Sequence, residues 1–124
     1  MKKWMIRVLS LLLIAAFLPM SVLADEYDLS EGSVTVTTTK QSDGSTRQDV
    51  THKDTTKPDN NPTVSSNGKP TDNTITIKAD AGTTANVTIK DTNIDSLGTS
   101  KAAVKTEGEG DVNLNVEGKN TVYG

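Results

Sequence analysis

ITIKADAGTTANVTIKDTNID (residues 75–95) lies over AAVKTEGEGDVNLNVEGKNTV (102–122) when the chain is slid by 27 positions without a gap. Ile77 then falls on Val104, Val87 on Leu114 and Ile89 on Val116. Lys78 falls on Lys105, Asp80 on Glu107, Asn86 on Asn113 and Asn93 on Asn120. The shift preserves the alternation of aliphatic with polar residues, which is the signature of a half-buried strand. A repeat of this length, built from β-branched residues and Asn, predicts rungs of a stacked β-solenoid. TITIK (74–78) and ANVTIK (85–90) are the strands of one rung, and AAVKT (102–106) and VNLNVEG (112–118) those of the next. ADAGTT and EGEGD are the corners. The paired Asn columns predict stacked amides about 4.8 Å apart, the inter-strand spacing.

Working outward, GSVTVTT (32–38) alternates Val34 and Val36 with Thr. It reads as a strand within an N-terminal capping unit, residues 25–39, that covers the end of the stack. Residues 40–73 carry Gly44, Pro58, Pro62, Gly68 and Pro70 but only Val50 and Val64 as aliphatics. Such a segment buries too little to offset its ordering entropy and is expected as a flexible loop or linker. Within it, QSDGST (41–46) has a hairpin turn centred on Asp43-Gly44, from which 46–51 returns as a short strand. His52, the one histidine, reads as a solvated side chain in a polar run.

Residues 1–24 read as a secretory leader helix. Lys2, Lys3 and Arg7 precede an apolar run, Pro19 ends it, and Val22-Leu23-Ala24 places small residues for cleavage before Asp25. The uncharged stretch is shorter than the roughly 20 residues of a membrane span. With no Cys there is neither a lipid-modified cysteine nor a disulfide. The leader takes three of the 13 basic residues and none of the 16 acids, so residues 25–124 carry a net charge of −6. That balance excludes nucleic acid and anionic membranes as natural partners, because both reward clustered Lys and Arg. The expected product is secreted or extracellular, in association with a cell wall, and has no membrane insertion after leader removal.

With its signal peptide, its GSVTV strand and its TITIKAD…ANVTIKDTNID and AAVKTEGEGDVNLNVEGKNTV segments, the chain resembles the secreted carbohydrate-binding-domain-containing proteins of Gram-positive bacteria. That group is similar to right-handed parallel β-helix surface proteins and, more distantly, to polysaccharide lyases. The resemblance implies an all-β, right-handed parallel β-helix of about two rungs over 74–124. It also implies a polysaccharide or cell-surface glycan as partner. The sequence ends directly after a strand, which is the pattern expected of the N-terminal piece of a longer protein, with an open rung edge available for self-association.

Catalytic patterns are missing from the sequence: there is no G-x-S-x-G and no HExxH. The segment is therefore expected to be non-catalytic and without an organic cofactor. Asp80, Glu107, Glu109 and Asp111 are the candidate metal ligands, and calcium is the ion that oxygen-rich acidic turns suit. Against this, each Lys of the Lys78 and Lys105 column neutralises a neighbouring acid on a mixed-charge surface. Two alternatives to a carbohydrate-binding or adhesive module stand beside it. One is a structural stalk displaying a downstream domain, and the other is the leading piece of a β-helical polysaccharide lyase or hydrolase. N-terminal sequencing of the exported protein checks the leader: the expected first residue is Asp25, and an intact Met1 in the membrane fraction overturns it.

Overall fold

The computed structural model describes residues 25–124; the leader expected over 1–24 lies outside the described residues. The fold is all-β, with twelve short strands, two single 3-10 turns and no α-helix among the described residues. The strands are β1 (Glu26–Asp28), β2 (Val34–Lys40), β3 (Thr46–His52), β4 (Thr55–Pro58), β5 (Thr63–Ser65) and β6 (Pro70–Thr71). They continue with β7 (Ile75–Ala79), β8 (Thr84–Lys90), β9 (Asn93–Asp95), β10 (Val104–Glu107), β11 (Asp111–Glu117) and β12 (Thr121–Tyr123). Three sheets result, ordered β1-β5-β8-β11, β10-β7-β2-β3-β4 and β12-β9-β6. The first and third are parallel throughout, and the second turns antiparallel at β2-β3 and β3-β4.

Period-2 alternation decides which side chains enter the core. Ile75, Ile77 and Ala79 of β7 are buried while Lys78 is exposed; Ala85, Val87 and Ile89 of β8 are buried while Asn86 and Lys90 are exposed. Parallel in-register pairing then stacks like on like. One column runs Val50, Val36, Ile77, Thr106 across β3, β2, β7 and β10. Another runs Tyr27, Val64, Ile89, Val116 across β1, β5, β8 and β11. Each fully buried Val or Ile contributes about 1.5–3 kcal/mol relative to exposure. An interior this narrow is filled by aliphatics of this size, with Tyr27 as its one aromatic.

The repeat holds in kind but not in constant register. Leu114 pairs with Val87 and Val116 with Ile89, the expected offset of 27. On β10, however, Val104 pairs with Ile75 and Thr106 with Ile77, an offset of 29, so the expected stacking of Ile77 on Val104 and Lys78 on Lys105 is corrected by two residues. On β12, Val122 pairs with Ile94, an offset of 28, and Asn93 lies beside Thr121 rather than Asn120. The cause is corner length. The corner from β10 to β11 is the tight turn Gly108-Glu109-Gly110, laid directly on the Ala79-Asp80 corner beneath. There the Gly110 N–H donates to the Ala79 carbonyl at 2.9 Å. A Cβ on Gly108, which has φ +89°, would fall 2.1 Å from the Ala79 oxygen, and one on Gly110 would fall 2.3 Å from the Asp80 oxygen. EGEGD is thus a pinned corner rather than a flexible turn. A two-residue shift leaves side-chain parity unchanged, so the core columns survive it. Of the expected amide pairs, Asn113 donates to Asn86 at 3.1 Å.

Two expectations about the N-terminal half are corrected. β2 is not a separate cap: it pairs with β7 over Val34–Thr38 as an interior strand of the five-stranded sheet. The segment 40–73, expected as loop or linker apart from a strand returning over 46–51, carries that strand as β3 and also β4, β5 and β6. Its strands are short and polar, yet they are held by specific bonds that composition does not report. The decisive one is Gln48, only 3% exposed. β5 pairs with β8 only over Thr88 and Ile89, so the upstream edge of Asn86 has no strand partner there. The Gln48 amide takes that place: Asn86 N–H donates to Oε1, and Nε2 donates to the Asn86 and Asp59 carbonyls, each at 2.9 Å.

Gln48→Leu is expected to cost about 1–3 kcal/mol for each backbone group of Asn86 it orphans. Exposed Ser42→Ala should stay within about 0.5 kcal/mol. Urea denaturation of both variants checks this.

Candidate functional site

Two places on the molecule concentrate polar chemistry. The first is the outer face of the five-stranded sheet. The outward positions of its strands align into rows: Lys105, Thr76, Thr35, Thr51 and Thr56 lie side by side across β10, β7, β2, β3 and β4. The adjacent row is Glu107, Lys78, Thr37, Asp49 and Pro58. Four inter-strand steps give the face a width of about 19 Å. Thr51 and Thr56 hydroxyls share a hydrogen bond at 2.8 Å, and the Arg47 Nε donates to both Asp49 oxygens at 3.2 and 3.0 Å. Towards β10 the face deepens into a groove of about 540 Å³ lined by Ser33, Thr74, Thr76, Ser100, Lys101 and Lys105. The hydroxyls and charges of the two rows make a regular donor–acceptor surface because they stand on paired strands, while Ser33, Thr74, Ser100 and Lys101 line the groove from the connecting loops.

The four metal candidates behave differently from one another. Glu107 is engaged by lysines: Lys105 Nζ lies 2.7 Å and Lys78 Nζ 4.0 Å from its oxygens. The hydrogen bond and charge of Lys105, with Lys78 beyond it, hold its carboxyl below the usual range. Asp80 and Glu109 are exposed corner residues, and Asp111 is an exposed residue opening β11. Among the described residues no three His, Asp or Glu side chains are grouped to hold a metal ion. The Lys–acid neutralisation expected for this face is present in the Lys78, Lys105 and Glu107 cluster, Lys105 meeting Glu107 two residues along β10 and Lys78 meeting it as its register partner on β7.

The second place is the cluster of Asp59, Tyr27, His52 and Lys57 at the N-terminal end, which sequence reasoning missed. Asp59 follows β4 and is 3% exposed. Its Oδ2 accepts from the Tyr27 hydroxyl at 2.9 Å and from the Asp25 N–H at 3.0 Å, and its Oδ1 accepts from the Asn61 N–H at 3.0 Å. Tyr27 packs edge-on to His52, 5.9 Å between ring centroids, and Lys57 Nζ sits 5.3 Å from the Tyr27 centroid. His52, expected as solvated, is half-buried with Nε2 2.9 Å from the Asp28 carbonyl. A shallow pocket of about 340 Å³ borders this cluster. Nothing in local composition marks Asp59 as buried, since DTTKPDNNP is polar throughout. Burial first, then the Asp59 hydrogen bond and the charges of Asp59 and Asp25, push the Tyr27 hydroxyl pKa far up.

No helix of the described residues is long and apolar enough to cross a membrane. In comparison with known proteins, no family model matches the chain, no curated protein matches it, and no solved structure matches it.

Tyr27 sets an alkaline limit. Below pH about 10 both folded and unfolded chains keep the phenol proton, so its stabilising contribution is complete. Above that, the unfolded chain releases the proton first and stability falls as pH rises. Chemical denaturation between pH 8 and 11 should show a steeper loss for the wild-type chain than for Tyr27→Phe.

Proposed function

We propose that the chain is an exported, non-catalytic glycan-binding or adhesive module of a bacterial surface, built as a right-handed parallel β-helix. The β-helix reading is supported by the three parallel ladders in which β7, β8 and β9 pair with β10, β11 and β12 in the same order. Right-handedness is the near-universal hand of parallel crossover connections. Export rests on the basic start, apolar run and small-residue cleavage site of residues 1–24. The observation that carries the binding role is the five-stranded face with its row Lys105, Thr76, Thr35, Thr51, Thr56. Fixed hydroxyls alternating with paired charges match the hydroxyl arrays of a polysaccharide. Stacking platforms are sparse, since Tyr27 is buried and Tyr123 stands on another sheet. Binding by hydroxyls alone is weak per site and gains strength from repetition along a polymer.

Affinity measurements against a panel of soluble cell-wall and plant polysaccharides test this. Thr35→Val and Thr76→Val keep β-branching and remove hydroxyls, so each should weaken binding about 2- to 10-fold with the fold intact. Absence of binding across the panel overturns the glycan reading.

A second property is supported by the other end of the stack. Leu114, Val116, Val122 and Tyr123 are 41%, 57%, 42% and 55% exposed on strands β11 and β12, whose outer edges carry no partner strand among the described residues. Such an edge invites pairing with another chain. Concentration-dependent association in sedimentation, abolished by Leu114→Lys and Val116→Lys together, is the expected outcome.

A further inference from the structure

The buried Asp59 carboxylate presents a charge without a counter-charge. Its three hydrogen-bond donors are neutral groups: the Tyr27 hydroxyl and the Asp25 and Asn61 N–H groups. No Lys, Arg or His nitrogen among the described residues lies within 4.0 Å of it. Lys57, the nearest candidate on β4, is paired instead with the side-chain carboxylate of Asp25. A buried ionised carboxylate held only by neutral donors is costly and ordinarily finds a cation. The donor 3.0 Å from Oδ2 is the backbone nitrogen of Asp25. That same nitrogen belongs to the peptide bond at which the leader is expected to be cut.

We propose that removal of the leader completes this site, the new, partly exposed α-ammonium of Asp25 becoming the counter-ion of the buried Asp59. The inference rests on the export reading. A leader peptidase adds water across the Ala24–Asp25 bond; Ala24 departs with a carboxylate and Asp25 keeps the nitrogen as –NH3⁺. One neutral amide donor is thereby replaced by a cation with three donors, at a position the fold already specifies. Asp25 is held on two further sides, its carbonyl accepting from Thr63 N–H at 2.9 Å and its carboxylate meeting Lys57. The ammonium thus arrives in a prepared setting. β1 follows Asp25 directly and pairs with β5, so the ion pair fastens the edge strand of the four-stranded sheet and carries Tyr27 and Leu29 into the core. Processing and closure of the N-terminal end are one event in this scheme.

The charged and titratable groups facing the terminus are Asp59, the Tyr27 hydroxyl, the Asp25 carboxylate and Lys57. Asp59 and the Asp25 carboxylate favour the ammonium form, and Lys57 opposes it. With its pKa raised in the folded state, the amine stabilises fully below the ordinary terminal pKa of about 8. That stabilisation is lost as pH rises through the folded value.

The experiment takes the exported, processed protein, which contains every described strand. Its first residue is determined by sequencing, and its α-amine pKa by the pH dependence of amine acylation on the native protein. The expected result is a terminus at Asp25 with a pKa at least about one unit above the ordinary 7.7–8.0. In exported Asp59→Asn the amine should return to the ordinary value. A leaderless chain that retains an added methionine before Asp25 should melt about 4–8 °C lower at pH 6, and the gap should close by pH 10. An ordinary pKa at a terminus that does begin at Asp25 overturns the ion pair alone. A terminus elsewhere overturns the cleavage assignment and the inference with it.

Discussion

The whole N-terminal half depends on one side-chain carboxamide. Stacked parallel strands satisfy their backbone groups only where a neighbour runs alongside, and β5 is too short to cover β8. Gln48 reaches from β3 and presents to Asn86 the acceptor and donor that a peptide unit would present. Its amide also donates to the Asp59 carbonyl, while Asp59 N–H donates to the Gln48 carbonyl at 3.0 Å. One residue therefore joins the antiparallel hairpin, the β4–β5 connection and the parallel four-stranded sheet. Buried amides left unpaired cost more than the bonds contribute when made, which is why this position is stringent.

From that anchor the edges of the stack are managed one by one. β4 closes the five-stranded sheet with a short strand carrying Lys57 and Pro58, poor material for recruiting another chain. β1 closes the four-stranded sheet and is pinned through Tyr27 and Asp59. The 3-10 turn Leu29–Glu31 follows with Leu29 fully buried, and Asn73 Nδ2 donates to its carbonyl at 2.8 Å. The opposite end, at β10, β11 and β12, has no such devices among the described residues, and its aliphatics stand half exposed. Among the described residues the two ends of the stack therefore differ, the β1 and β4 end being held by polar side chains and the β10, β11 and β12 end exposing aliphatics.

The proposed functions fall along this axis. A sheet face whose strands are locked at one end presents its hydroxyls with little conformational freedom, which lowers the entropy cost of binding a weak, repetitive ligand. The lysine–glutamate cluster on that face is solvent-exposed, so its value lies in setting local charge and orientation more than in stability. The proposed Asp25–Asp59 pair sits directly after β4, the edge strand of the hydroxyl face, and would determine when β1 closes against β5.

How much of this was legible in the sequence follows from what each signal measures. The β class, the alternation that buries Ile75, Ile77, Val87 and Ile89, and the Leu114–Val87 and Val116–Ile89 stacking were readable, because period-2 patterning and β-branching act locally. The hairpin turn at Asp43-Gly44 was readable from turn chemistry for the same reason. Register on β10 was not, since an ungapped repeat cannot show that Gly108 and Gly110 shorten a corner by lying on Ala79 and Asp80. The role of 40–73 was not, since Gln48 and Asp59 look like any solvated polar residue until β8 and β1 surround them. The candidate ligands Asp80 and Glu107 were paired by the ungapped repeat, with Glu109 and Asp111 beside them, whereas in the fold Glu107 is met by Lys105 along its own strand and by Lys78 across the β7–β10 register. Composition and periodicity determined which residues seek the interior. Only the tertiary structure decided which polar groups are buried with them, because that depends on which backbone edges the strands leave unpaired.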